Sequence, residues 1–281
     1  MTTTLDVVSL NVFVGLRSRG APARSRAVEF CRRLTDLDVD VLLLQEVWTR
    51  SLLRFIGARL PSLPHVACRP GLAGQPAGGL AVFSRRSLCA PTYTAFTKTR
   101  PGNGNPVFRG KSAVSCRLQG VLTVRTADGK LVLGNTQLTA NRDGDWSQAN
   151  RHHRIHRQQV RIVHDAMRTA GAHTAPLSVL GGDFNIASTS PLYPLIVDNG
   201  AWHDPFALTD QPTYRAEYLP AGRTANRIDY LLVSGQPVTS ADLILAEPVH
   251  LDSGTSFLSD HLAPRIRLHG SRVDGGDSLA V

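Results

Sequence analysis

The feature that most limits the fold of this chain is a series of short apolar runs, rich in β-branched residues, too short and too regularly interrupted to be long helices. They are "LDVVSLNVFV" (5–14), "VDVLLLQEVW" (39–48), "GGLAVFSR" (78–85), "PLSVLGG" (176–182), "NRIDYLLVS" (226–234) and "LAPRIRL" (262–268), and each reads as a strand. "GKSAVSCRL" (110–118) is read as a further strand. In "VLTVRTADGKLVLGNTQL" (121–138), "ADGK" between two apolar runs has the composition of a tight hairpin. Three stretches have helical spacing instead. Residues 23–37 carry Ala27, Phe30, Cys31 and Leu34 on one side, residues 150–168 carry Ile155, Gln159, Val163, Ala166 and Met167, and a short helix falls near 189–198. Hairpins mixed with helices, without strict strand-helix-strand alternation, predict an α+β sandwich of sheets with helices outside.

One stretch, "LGGDFN" (180–185), raises a chemical question. Side chains alternate along a strand, so Asp183 and Asn185 would point the same way, with Phe184 turned into the core. Gly181 and Gly182 would leave the approach to that point clear for a ligand or water. A simple turn closing a strand also accounts for these residue types.

The length of 281 residues and an apolar content of 42% allow one large core, and no linker or internal repeat divides the chain. One domain is expected over residues 1–269, with a flexible, Gly-rich tail over 270–281. A net charge of +9 directs the protein towards anionic partners: nucleic acid, phosphorylated small molecules or acidic lipid surfaces contacted peripherally. Much of that charge lies in "NRHHRIHRQQVRIVHDAMR" (150–168), whose Arg and His residues form a solvated face opposite the apolar stripe. Cys31, Cys68, Cys89 and Cys116 make no CxxC pair and are expected to be reduced and mostly buried. No basic segment followed by an apolar one opens the chain, and no run is long enough to cross a bilayer. The expectation is a cytoplasmic monomer.

Polar groups gather at the strand ends. Asn11 closes one run, Glu46 another, Asp183 and Asn185 a third; Asp229 opens "DYLLVS", and Ser259-Asp260-His261 precedes the last strand. A single acid after an apolar run is usually a solvated strand end, but five such points, all oxygen donors or imidazole, can converge on one rim if the strands lie side by side.

Asn11, "LQEVW", "GGDFN", "NRIDYLL" and "SDHLAP", in this order, resemble the endonuclease/exonuclease/phosphatase superfamily of Mg²⁺-dependent phosphoesterases, over Val7 to about Leu268. "GGLAVFSRRSL", "FRGKSAV" and "AWHDPF" are similar to its neutral sphingomyelinase-like branch. The resemblance implies a four-layer α/β/β/α sandwich of two mixed sheets flanked by helices. It implies Mg²⁺, or Mn²⁺ in its place, held by Glu46 with Asn11 and with Asp260 directly or through water. His261 would be the general base, oriented by Asp229, while Asp183 and Asn185 would orient the attacking water and bind a phosphoryl oxygen. Lys111 would neutralise phosphate. Most relatives have a histidine where this chain has Gln137, whose amide N–H can still donate to phosphate but cannot carry positive charge. These residue types suit the chemistry, because a phosphodiester is anionic and its hydrolysis needs charge neutralised, a water held in line and its proton accepted. Three functions compete: a phosphodiesterase acting on a phospholipid head group, a nuclease, and a non-catalytic module that holds an anionic ligand.

Overall fold

Alternation along the first strand already sets out the layers. Leu5 and Val7 enter one apolar cluster while Val8 and Leu10 enter another, so both faces of the strand are covered. The computed structural model describes residues 3–13, 21–71, 73–100, 104–209, 211–252 and 254–270. In chain order its elements are β1 (Thr3–Asn11), α1 (Ala23–Asp36), β2 (Val41–Gln45), α2 (Arg50–Gly57), β3 (His65–Ala67), β4 (Ala81–Ser84), β5 (Leu88–Ala95) and α3 (Pro106–Leu118). They continue as β6 (Gly120–Thr126), β7 (Leu131–Gln137), α4 (His153–Thr169), β8 (Leu177–Asp183), α5 (Tyr193–Ile196), β9 (Asp229–Ser234), β10 (Val238–Ile244), β11 (Val249–Leu251), β12 (Gly254–Ser256) and β13 (Ala263–Gly270).

One sheet has six strands in the order β10-β13-β1-β2-β4-β3, the other five in the order β5-β6-β7-β8-β9, and β11 and β12 form a separate hairpin. Both large sheets are mixed: β1 runs parallel to β2 and β7 parallel to β8, and their other pairings are antiparallel. Val7, Val41 and Leu43 of the first sheet meet Leu133, Val179 and Leu231 of the second in the central cluster. A second cluster packs Leu42 and Leu44 against Phe30 and Leu34 of α1 and Ile56 of α2. A third packs Val132 and Leu180 against Ile155, Val163 and Met167 of α4. The result is the expected four-layer α/β/β/α sandwich.

The stripe expected on α4 faces inward: Ile155, Gln159, Val163 and Met167 are buried and Ala166 is half-buried. Residues 110–118, expected as a strand, belong instead to helix α3. Asn105 caps that helix by accepting from Phe108 N at 2.9 Å, Pro106 opens it, and Phe108, Ser112 and Cys116 at four-residue spacing form its buried face. Cys31 and Cys116 are buried and Cys68 is half-buried, but Cys89 is exposed, on the edge strand β5; all four are free thiols. Of the expected tail, Gly270 closes β13 and residues 271–281 lie outside the described residues. Among the described residues no helix is long and apolar enough to cross a membrane.

Candidate active site

The strand ends from both sheets meet at one rim, and Asn11 joins them. Its Nδ2 donates to Asp183 Oδ2 at 3.1 Å, across the gap between the sheets, and lies 3.4 Å from Glu46 Oε1. Phe13 N donates to Asn11 Oδ1 at 3.0 Å, which fixes which end of the carboxamide faces the acids. Glu46 leaves β2 with φ of 64°, a conformation costly for a side chain with a Cβ and held here by its surroundings. A Cβ added to Gly79 would lie 3.2 Å from the Glu46 Cα, so that glycine lets the turn close. From the second sheet, Gln137 Nε2 donates to Glu46 Oε1 at 3.1 Å.

His261 stands among the acids. Its Nδ1 is 2.8 Å from Asp229 Oδ2, and its Nε2 is 4.0 Å from Asp183 Oδ2 and 3.8 Å from Asp260 Oδ1. The ring is buried, and Tyr214 packs edge-on against it with centroids 5.0 Å apart. Two hydroxyls register the loops. Thr213 Oγ1 accepts from Ile228 N and Asp229 N at 2.9 and 3.0 Å. Ser259 Oγ donates to Asn11 O at 2.6 Å and accepts from His261 N at 3.1 Å.

Two buried arginines hold the loop that carries Asp260 and His261. The Arg26 guanidinium donates to Leu258 O, Val12 O, Ala21 O and Phe13 O, and that of Arg215 to Ser259 O, Ala246 O and Leu245 O. Thr213, Tyr214, Arg26 and Arg215 carried no signal in the sequence, since they lie in loops or on a helix face far along the chain from the motifs they support.

Of the nine residues singled out in the sequence, eight gather here. Asn185 does so differently from the expectation: β8 ends at Asp183, and Asn185 turns away with φ of 52°. Its backbone N donates to Asp183 Oδ1 at 3.0 Å, while its side-chain amide donates to Leu138 O at 3.0 Å. Phe184 is buried in the core as expected. Lys111 does not join: it is exposed on α3 and makes no hydrogen bond or ion pair among the described residues. The glycine pair also has another purpose than clearing a path for a ligand. A Cβ on Gly181 would come within 2.7 Å of Leu43 Cδ1 and 2.8 Å of Leu231 Cδ1, and one on Gly182 within 1.9 Å of Thr136 O. Both glycines serve close packing within and between the sheets.

Crowding sets the protonation of the cluster. Burial raises Asp183 to about 7, with Asp229 and Glu46 adding to the rise and His261 opposing it. Burial likewise raises Asp260. His261 is held well above the ordinary imidazole value: burial works against the charge, but Asp229, Asp260 and Asp183 outweigh it. Such a surplus of carboxylates, with oxygen donors on both sides, suits a hard divalent cation. Gln137 Oε1 points the same way: it is buried and has no partner, and its Nε2 is already committed to Glu46. Among the described residues, Asp183, Asp229 and His261 also offer ligand atoms within 4.8 Å of one another.

A family model described as "Endonuclease/Exonuclease/phosphatase family" matches residues 8–261. No curated protein sequence matches the chain. Among solved structures, sphingomyelinase C from Streptomyces griseocarneus superposes with a TM-score of 0.66 at 17% identity, covering 95% of this chain and 99% of that one. Beta toxin from Staphylococcus aureus gives 0.68 at 16%, covering 93% and 99%. TDP2 of D. rerio, humanised by 14 mutations, gives 0.66 at 18%, covering 95% and 99%. At these identities the likeness is one of fold.

Proposed function

This chain belongs to the endonuclease/exonuclease/phosphatase family, whose members are generally phosphoesterase hydrolases, and on that premise we propose that its rim is the active site of a divalent-metal-dependent phosphodiesterase that cleaves phospholipid head groups. The observation that carries this is the Asn11 side chain, which ties Glu46 of one sheet to Asp183 of the other within reach of an imidazole oriented by Asp229. The sphingomyelinase C name among the structural neighbours supports a choline phospholipid as substrate.

Glu46 and Asn11 would hold Mg²⁺, or Mn²⁺, with Asp260 contacting it directly or through water. When bound, the cation would polarise phosphoryl oxygens and offset the negative charge of the carboxylates. Asp229 accepts from Nδ1–H of His261, which leaves Nε2 as the atom that exchanges a proton with water. In the carboxylate field alone that nitrogen keeps its proton, so its service as a base depends on that field being offset. Asp183, fixed by the Asn185 backbone N–H, would orient the water, with Asn185 helping to hold a phosphoryl oxygen. Gln137 stands in this chain at the position of the family histidine and offers the phosphate an amide in place of a cation.

The test is release of phosphocholine from sphingomyelin and phosphatidylcholine in Mg²⁺ and in EDTA. Metal-dependent release is expected, and its absence from every choline phospholipid overturns the substrate. A nuclease is the second reading, favoured by the net charge of +9. Metal-dependent nicking of plasmid or cleavage of abasic duplex, without head-group release, would establish it instead.

A further inference from the structure

The expected phosphate ligand Lys111 belongs to a helix whose outward face has a different character. Among the described residues six large aliphatic or aromatic side chains are well exposed, and three of them, Val107 (64%), Val114 (56%) and Leu118 (56%), are on α3. Their spacing of seven and four residues aligns them in one stripe on the side opposite the buried Phe108, Ser112 and Cys116. Lys111 falls within that stripe and Arg117 flanks it, while Arg109 lies on the far side of the helix, beside Cys116. The helix has no acidic residue, and none of these three cations makes an ion pair among the described residues.

Beside it lies α4. The helices pack through Gln159 Nε2 donating to Cys116 Sγ at 3.5 Å and through Phe108 edge-on to His152, with centroids 5.0 Å apart. Arg154, Arg157 and Arg161 form the exposed stripe of α4, on the side turned away from Gln159, and are likewise without ion pairs among the described residues.

The C-terminal end of α3 reaches the rim. Gln119, the residue that follows it, donates through Nε2 to Leu138 O at 3.0 Å, and Leu138 O also accepts from the Asn185 side chain at 3.0 Å. Gly120 then pairs in register with Gln137. A body seated on α3 is therefore next to the active site.

We infer that the outer face of α3 docks on an anionic lipid bilayer, with Val107, Val114 and Leu118 entering the head-group layer and Lys111 and Arg117 contacting lipid phosphates and carboxylates. Exposed aliphatic side chains with a lysine among them and an arginine beside them, on a helix without acidic residues, are the pattern that binds in the plane of a membrane surface. A nucleic acid would satisfy the cations but leave the aliphatic stripe in water. The choice of a bilayer rests on the phospholipid reading of the site, and docking would bring the rim to its substrate layer.

Co-sedimentation with phosphatidylserine/phosphatidylcholine vesicles, run in EDTA so that no turnover occurs, tests this. The protein should pellet with mixed vesicles, less with phosphatidylcholine alone, and less as salt is raised. Val107→Glu with Val114→Glu, and separately Lys111→Glu with Arg117→Glu, should each weaken partitioning by roughly tenfold or more while keeping the parent melting temperature. Failure of the parent to pellet, variants that pellet like the parent, or variants that lose duplex DNA binding but keep vesicle binding would overturn the inference. A parent that docks through α3 yet releases no head group would overturn the substrate reading and leave the docking surface standing.

Discussion

Gln45 Nε2 donates to Asn135 Oδ1 at 2.7 Å and so bridges the two sheets through fully buried side chains. Asn135 in turn donates to Leu44 O at 2.8 Å and Ala81 O at 2.9 Å, and Gln45 reaches Ser9 Oγ at 3.1 Å. Ser9, Asn135 and the site residues Asn11 and Gln137 are separated by one inward-facing step on their strands, so this network is the floor of the rim. Asn135→Leu removes the bridge and takes the side-chain donor away from the buried Leu44 O and Ala81 O. A loss of about 2–4 kcal/mol in urea unfolding is expected, with activity falling too. Unchanged stability would mean that the bridge does not hold the sheets.

His261 Nδ1 lies 2.8 Å from Asp229 Oδ2, and in the proposed mechanism the two act as a unit. His261→Ala should lower kcat by about 10²–10⁴. Asp229→Asn should lower it by a similar order without loss of folding, and the double variant should lose little beyond either single one. Additive losses in the cycle would separate the two roles.

Gln137 stands where the family resemblance leads one to expect a histidine. Its contact to Glu46 at 3.1 Å makes it a positioning group for that carboxylate, beside the phosphate contact proposed for its second amide N–H. Gln137→Ala should cost up to about 10²–10³ in kcat, the range for a lost oxyanion donor. It should also raise the Mg²⁺ concentration needed for half-maximal activity. A variant with parental kcat and metal requirement would take Gln137 out of the site.

Buried histidines should govern stability in mild acid. Burial lowers His156 from 6.5 to about 4, and its Nε2 donates to Thr139 O at 2.7 Å as a neutral ring. His164 and His152 are lowered by burial as well. Above the unfolded value both states are neutral and pH has no effect through His156. As pH falls from 6.5 towards 4 the unfolded chain takes up a proton that the native one refuses, and stability is lost. The loss from His156 should reach about 2 kcal/mol near pH 5. His261, raised rather than lowered, acts in the opposite direction, so the measurement compares urea unfolding of the parent with His156→Gln at both pH values. The variant should show the shallower decline.

Periodicity was enough to read much of this architecture. The strands ending at Asn11 and Asp183, the hairpin closing between Thr126 and Leu131, the inward stripe of α4 and the buried Phe184 are all present as the spacing of apolar residues requires. Where short-range signals competed, the reading failed. In α3 the Val and Ser residues suggested a strand, while the deciding signals were the Asn105 cap and Pro106 just upstream. At "GGDFN" strand alternation was carried two residues too far, because Asn185 accepts a positive φ that ends the strand.

Sequence alone determined which residue types stand at the strand ends and which faces are apolar, because both follow from the local period of a helix or a strand. Only the tertiary structure decided that the ends of two sheets face each other, that Asn11 lies 3.1 Å from an acid 172 positions later, and that Lys111 turns out to solvent. The reason is that these distances depend on how the sheets stack and on which side chains, down to the missing Cβ of Gly181, let them approach.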